Sequence, residues 1–112
     1  MTNLYTAHYR YPGTDRLDIT VKGQHEFGRL FAPTWDMVMA VKHHGIKAHQ
    51  YYINEYDKIL NNVPSSVWQN LLDTDIITLV CFCRRQDFCH RNLLVEYITR
   101  TFPNTFYRGF KG

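Results

Sequence analysis

No apolar run in this chain approaches the roughly 18 residues that a membrane-spanning helix needs, so no membrane segment is expected. The start, Met1-Thr2-Asn3-Leu4-Tyr5, lacks a charged stretch followed by an apolar one, so no secretory signal is expected either. Cysteine is scarce. Three is an odd number, and without a secretory signal it points to reduced thiols in a cytoplasmic protein rather than a disulfide framework. Dense Lys/Arg runs, internal repeats and low-complexity tracts are absent. The formal net charge of +3 suits a phosphate-bearing partner but is not that of a dedicated nucleic-acid binder. Two familiar cysteine chemistries are also missing. There is no Cys-x-x-Cys redox pair. A phosphatase or rhodanese-type loop needs an arginine at the sixth residue after its cysteine, and here Asp87 follows Cys81 at that distance and Cys89 follows Cys83.

What is present fits one domain over all 112 residues, with 45% apolar and 15% aromatic side chains. Eight Tyr and seven Phe can build a small core from large side chains or form a surface on which bases stack. Asn3 to Tyr9 reads as a strand, and Leu17 to Val21 as a second, ending at Gly23. Pro33-Thr34 opens a helix with Thr34 as N-cap and Gly45 at its end. A second helix covers Lys47 to Asn61, with Tyr52, Ile53, Tyr56, Ile59 and Leu60 on its apolar face. A short third follows Pro64. Ile76 to Phe82 is a nearly continuous apolar run, the pattern of a central strand covered on both faces. A last helix is predicted from Phe88 to about Phe102, with Asp87 as N-cap and Pro103 beyond its end. Residues 103–112 form an aromatic and basic tail, which reads as an edge strand or a cover over a ligand.

The chemistry concentrates between Leu79 and Leu94, which hold all three cysteines with Arg84, Arg85, Arg91 and His90. In α/β proteins, ligands gather where a buried strand ends and a helix begins. With Asp87 as N-cap, the N–H groups of the first turn and the helix dipole make an anion site, with the three arginines adding charge. The same field would stabilise a thiolate at Cys89, making it a candidate nucleophile with His90 as acid, base or orienting donor. The alternative for Cys89 is plain hydrophobic packing. Zinc on Cys81, Cys83, Cys89 and His90 is a third reading, although one residue between Cys81 and Cys83 is not the usual knuckle spacing. His8 ends the first strand, where parallel pairing would bring it near Cys81. His25 lies in the irregular loop before Pro33.

These residues resemble a known family. Leu79-Val80-Cys81, then Cys89-His90-Arg91 and Leu93-Leu94, are similar to the C-terminal signature of domain-of-unknown-function family 488. Phe31-Ala32-Pro33-Thr34-Trp35 and the tyrosine-rich helix Tyr51 to Leu60 resemble its N3 subclade. The Arg85-Gln86 pair stands where many members carry Pro-Gly. The resemblance implies a compact α/β fold with the signature at a strand end. It implies signature positions at Cys81, Cys89, His90 and Arg91, and more loosely Thr34 and Trp35. It fixes no reaction, and links the family to nucleotides or nucleic acid.

The expectation is therefore a three-layer, Rossmann-like α/β domain with a short, mostly parallel sheet and flanking helices. Its predicted activity is binding of a phosphate-bearing ligand, a nucleotide or nucleic acid, with enzymatic processing of it as the further expectation. Cys89 and His90 are the candidate catalytic pair. Arg84, Arg85, Arg91, Cys81, Cys83, His8, Thr34 and Trp35 are the candidate ligand contacts. No cofactor and no metal are expected. The alternative is a non-catalytic interaction module or regulator whose Phe106, Tyr107 and Phe110 dock a protein partner.

Overall fold

The computed structural model describes residues 1–23, 27–83 and 88–111. Its sheet has four strands, all parallel: β1 (Thr2–His8), β2 (Arg16–Asp18), β3 (Ile76–Cys81) and β4 (Thr105–Lys111), in the spatial order β2-β3-β1-β4. The apolar run at 76–81 becomes β3, buried from Ile77 to Cys81 as a central strand should be. The aromatic tail becomes β4 on one edge. Between Leu4 and Tyr5 its register slips by one residue, and Gly109 sits at a φ of 129°, a conformation costly for any residue with a Cβ.

Among the described residues four α-helices flank the sheet: α1 (Trp35–His44), α2 (His49–Asn61), α3 (Ser65–Leu72) and α4 (His90–Thr101). All four contribute to one cluster with Leu4, Leu17, Ile77 and Leu79 of the strands, through Met37, Tyr52, Tyr56, Leu60, Val67, Trp68, Leu94, Val95 and Ile98. The fold is thus the expected Rossmann-like α/β arrangement. The connection from β1 to β2 carries no helix among the described residues and crosses to β3 and β4 through side chains.

In that crossing Asp15 is the hub. Its carboxylate accepts from Tyr11 Oη at 2.7 Å, from Thr78 Oγ1 of β3 and from Lys111 Nζ of β4 at 3.0 Å. Burial pushes its pKa up, but the bonds from Thr78, Tyr11 and Lys111 outweigh it and hold the carboxyl well below the usual range. A carboxyl lowered on folding stabilises the fold above its unfolded pKa of about 3.9, and loses that stabilisation as pH falls through and below it. Asp15→Asn is expected to cost about 1–3 kcal/mol at neutral pH and to flatten part of the acid limb of stability below about pH 4. Urea unfolding across pH checks it, and parallel wild-type and mutant curves would refute the assignment.

Local differences from the sequence reading have local causes. β2 stops at Asp18 because Asp18 Oδ1 captures the Thr20 N–H at 2.9 Å and its hydroxyl at 2.7 Å, turning the chain. Residues 28–31 of the loop expected before Pro33 form a 3₁₀ turn, as do residues 45–48 ahead of α2. Thr34 caps α1 as expected, accepting the Met37 N–H at 3.2 Å, and Gly45 closes it at a φ of 58°. The last helix begins two residues later than expected. Cys89 is its N-cap in extended conformation. Phe88 stays outside it, stacked on His49 at 3.7 Å between ring centroids and edge-on to Tyr52 at 5.1 Å. Asp87 and His25 lie outside the described residues.

Candidate functional site

At the carboxyl ends of β2 and β3 lies a cavity of about 470 Å³, within the range of roughly 300–1,000 Å³ typical of small-molecule sites. The turn after β2 brings Thr20, Val21 and Lys22 to it. The entry to α1 brings Pro33, Trp35 and Val38, and α2 brings Tyr52. Cys81, Phe82, Cys83, Phe88, Cys89 and His90 come from the end of β3 and the start of α4. Trp35 and Phe82 remain 53% and 59% exposed, and Phe82 stacks by one face on Tyr9 at 4.1 Å between ring centroids. Lys22 Nζ stands 5.7 Å from the Trp35 ring centroid, the one charged group among these lining side chains apart from titratable thiols, Tyr52 and His90. A larger groove of about 570 Å³ between α2, α3 and the end of α4 is lined by Leu60, Trp68, Tyr97 and neighbours. It lies away from the thiols, so the smaller cavity is the site.

Three thiols converge in the cavity. Cys81 Sγ stands 3.4 Å from Cys89 Sγ and 3.7 Å from Cys83 Sγ, and all three sulfurs lie within 4.8 Å of one another. Cys81 and Cys89 are buried and Cys83 half-buried, and all are free thiols. Cys81 Sγ is hydrogen-bonded to both other sulfurs, and these bonds, that with Cys83 first, hold its pKa well below the usual thiol range, while the bond to Cys81, then burial and the charge on Cys81, push Cys83 up to about 11. Cys89 goes up as well, first through its bond to Cys81. The helix dipole favours a lowered thiol at Cys89; here the bond to Cys81 and burial push Cys89 up, and Cys81 is the thiol that is lowered. Tyr52 beside the cluster is pushed up by burial and by the nearby sulfurs, and stays a donor.

His90 is buried, and desolvation lowers its pKa, so the ring is neutral. Its Nε2 lies 2.6 Å from the Ile19 carbonyl oxygen, which can only accept. Nε2 therefore carries the proton, and Nδ1 presents its lone pair 3.6 Å from Cys89 Sγ.

Of the residues singled out from sequence, Cys81, Cys83, Cys89, His90 and Trp35 line this cavity. Three do not. Thr34 spends its hydroxyl on capping α1, and so orients Trp35 rather than a ligand. His8 pairs with Cys81 in the β1–β3 register as expected, but its Nδ1 accepts the Arg10 N–H at 3.3 Å. Arg91, expected to hold an anion, is 0% exposed. Its Nη1 donates to the Ala7 carbonyl at 3.1 Å and the Cys83 carbonyl at 3.2 Å, and its guanidinium lies 5.5 Å from the Phe110 ring centroid. It clamps the end of β1 to the cysteine loop. Arg84 and Arg85 lie outside the described residues. Lys22 and Tyr52 were missed as site residues. A lysine just past the end of a strand was the available signal for Lys22; nothing local marks Tyr52.

The fold and site define a small parallel α/β protein with a thiol-lined cavity at the carboxyl ends of its strands. The chain belongs to the active DUF488-N3 subclade: the family model DUF488-N3a matches residues 4–101. No curated protein and no solved structure was found to match it. Pro33 and Trp35 of the Ala32–Trp35 segment and Cys89 and His90 of the Cys89–Arg91 segment meet at this cavity. No helix among the described residues is long and apolar enough to cross a membrane.

Proposed function

We propose that this cavity is the active site of an enzyme acting on a nucleotide, free or within a nucleic acid. The observation that carries the reading is the joining of three thiols and a neutral imidazole to a ligand-sized chamber walled by Trp35, Tyr52, Phe82 and Phe88. Such rings stack on a flat heterocycle, at about 1–3 kcal/mol per base. Lys22 beside Trp35 supplies a cation where a phosphate attached to that heterocycle would emerge. The reactive centre is the thiol cluster, with His90 Nδ1 as the adjacent proton acceptor. Description of the subclade as active agrees with catalysis, and a reducing cytoplasm suits three free thiols.

Calorimetry against a panel of nucleosides, nucleotides and short oligonucleotides tests it. One class is expected to bind, with Trp35→Ala weakening it roughly 10- to 100-fold in line with the loss of one stacking contact. Lys22→Ala should weaken the phosphate-bearing members and leave nucleosides alone. Silence across the whole panel would sink the proposal. It would favour an interaction module instead, for which Phe106 and Tyr107 stand exposed on the edge strand β4.

A further inference from the structure

We infer that Cys81, Cys83 and Cys89 form a binding site for a zinc-class divalent ion, with its fourth coordination position open to the cavity. The inference deepens the proposed function by naming the agent at the reactive centre. Its geometry and its test stand without any nucleotide.

The argument begins with sulfur positions. A tetrahedral ion with metal–sulfur bonds of about 2.3 Å sets its sulfurs about 3.8 Å apart. Here the separations from Cys81 are 3.4 Å and 3.7 Å, and the whole trio falls within 4.8 Å. The triangle thus needs only small movements to close on an ion. Three thiols packed this closely gain little from one another, since S–H is a weak donor and sulfur a weak acceptor. A soft or borderline cation is the partner for which such a set is suited.

The surroundings agree. Cys81 is fixed by its place at the end of β3, and Cys89 by its place as the N-cap of α4. The loop carrying Cys83 is tied back through its carbonyl to Arg91. The three ligands are therefore held by a strand, a helix start and a clamped backbone, as a site that keeps its geometry requires. All three sulfurs belong to residues lining the cavity, so a tetrahedral ion on them turns its remaining position towards the bound ligand or a water. His90 is oriented by Ile19 so that its Nδ1 accepts beside Cys89, ready to take a hydrogen bond from a metal-bound water. The Cys-x-Cys spacing weighs against zinc only as a knuckle pattern. Cys81 ends the strand and Cys83 lies in the bend beyond it, which lets both sulfurs face Cys89.

The test uses the full chain, reduced with a phosphine and freed of metal by a chelator, then titrated with Co²⁺ and Zn²⁺. One equivalent of cobalt is expected to bind with thiolate-to-cobalt charge-transfer absorption and the intense visible bands of a tetrahedral site. Each of Cys81→Ser, Cys83→Ser and Cys89→Ser should weaken it by about a hundredfold or more, exceeding the loss typical of an outer-shell change. His90→Gln should keep the equivalent of metal. Zinc should also shield all three thiols of the wild-type chain from iodoacetamide, read by mass spectrometry, which needs no variant to fold. Substoichiometric metal, a weak six-coordinate cobalt spectrum, or equal alkylation with and without zinc would overturn the site. Loss of metal in a folded His90→Gln protein would overturn the open fourth position, by making His90 the fourth ligand.

Discussion

Arg91→Met is expected to lower the stability of the fold by about 2–5 kcal/mol, a large share of the roughly 5–15 kcal/mol that holds a domain together. The methionine fills much of the same volume but cannot donate. The Ala7 and Cys83 carbonyls would each lose an N–H donated by Nη1, and an unsatisfied buried acceptor costs about 1–3 kcal/mol. The contact with the Phe110 ring would go as well. Arg91→Lys should recover only part, since an ammonium has neither the planar guanidinium nor its weaker hydration. Urea denaturation of the three proteins measures this. A surface arginine that merely held a phosphate would shift stability by no more than about 0.5 kcal/mol when replaced. An unchanged midpoint joined to lost ligand affinity would therefore return Arg91 to the anion-binding role its place in the motif suggests.

Phe31→Ala is the second change with a large effect, about 3–5 kcal/mol by analogy with other buried phenylalanines. Phe31 is fully buried in the 3₁₀ turn before α1. Its ring packs on Trp68 at 5.1 Å between centroids, and its carbonyl accepts the Tyr56 hydroxyl at 2.6 Å. The next four residues, Ala32 to Trp35, form the cavity wall and the cap of α1, so the anchor and the site move together. Phe31→Leu, which keeps most of the volume, should lose much less and retain ligand affinity. Thermal unfolding of the pair, followed by calorimetry on whichever ligand the wild type binds, checks both halves. A loss below about 1 kcal/mol for the alanine variant would show that the turn does not anchor the wall.

Features written in local chemistry were legible in the sequence. The β-branched and apolar run at 76–81 announced a central strand, and Thr34 and Gly45 marked both ends of α1 because capping depends on a few adjacent atoms. Cys81 was read at a strand end and Cys89 at the start of the last helix, and five of the named site residues line one cavity. Tertiary packing decided the rest. Asp87 has the better N-cap side chain, yet α4 starts after Cys89 because Phe88 is engaged by His49 and Tyr52 from α2. An arginine next to a Cys-His pair reads as a ligand contact. Only the end of β1, some eighty residues earlier, shows that it is a buried clamp. Tyr52 reaches the site from a helix whose local sequence carries no sign of the cysteines.

The position of β1 carries a consequence for the time course of folding. The strand nearest the start of the chain lies inside the sheet, and its neighbours are Ile76–Cys81 on one side and Thr105–Lys111 on the other. It has no early partner. Its ladder closes only after loops of some seventy and a hundred residues have been shut, and such long closures cost entropy before any contact rewards them. Folding should consequently be slower than in a helical bundle of equal length, in the manner of chains rich in distant pairings. Helices α1 to α3 would meet before β1 reaches β3 and β4.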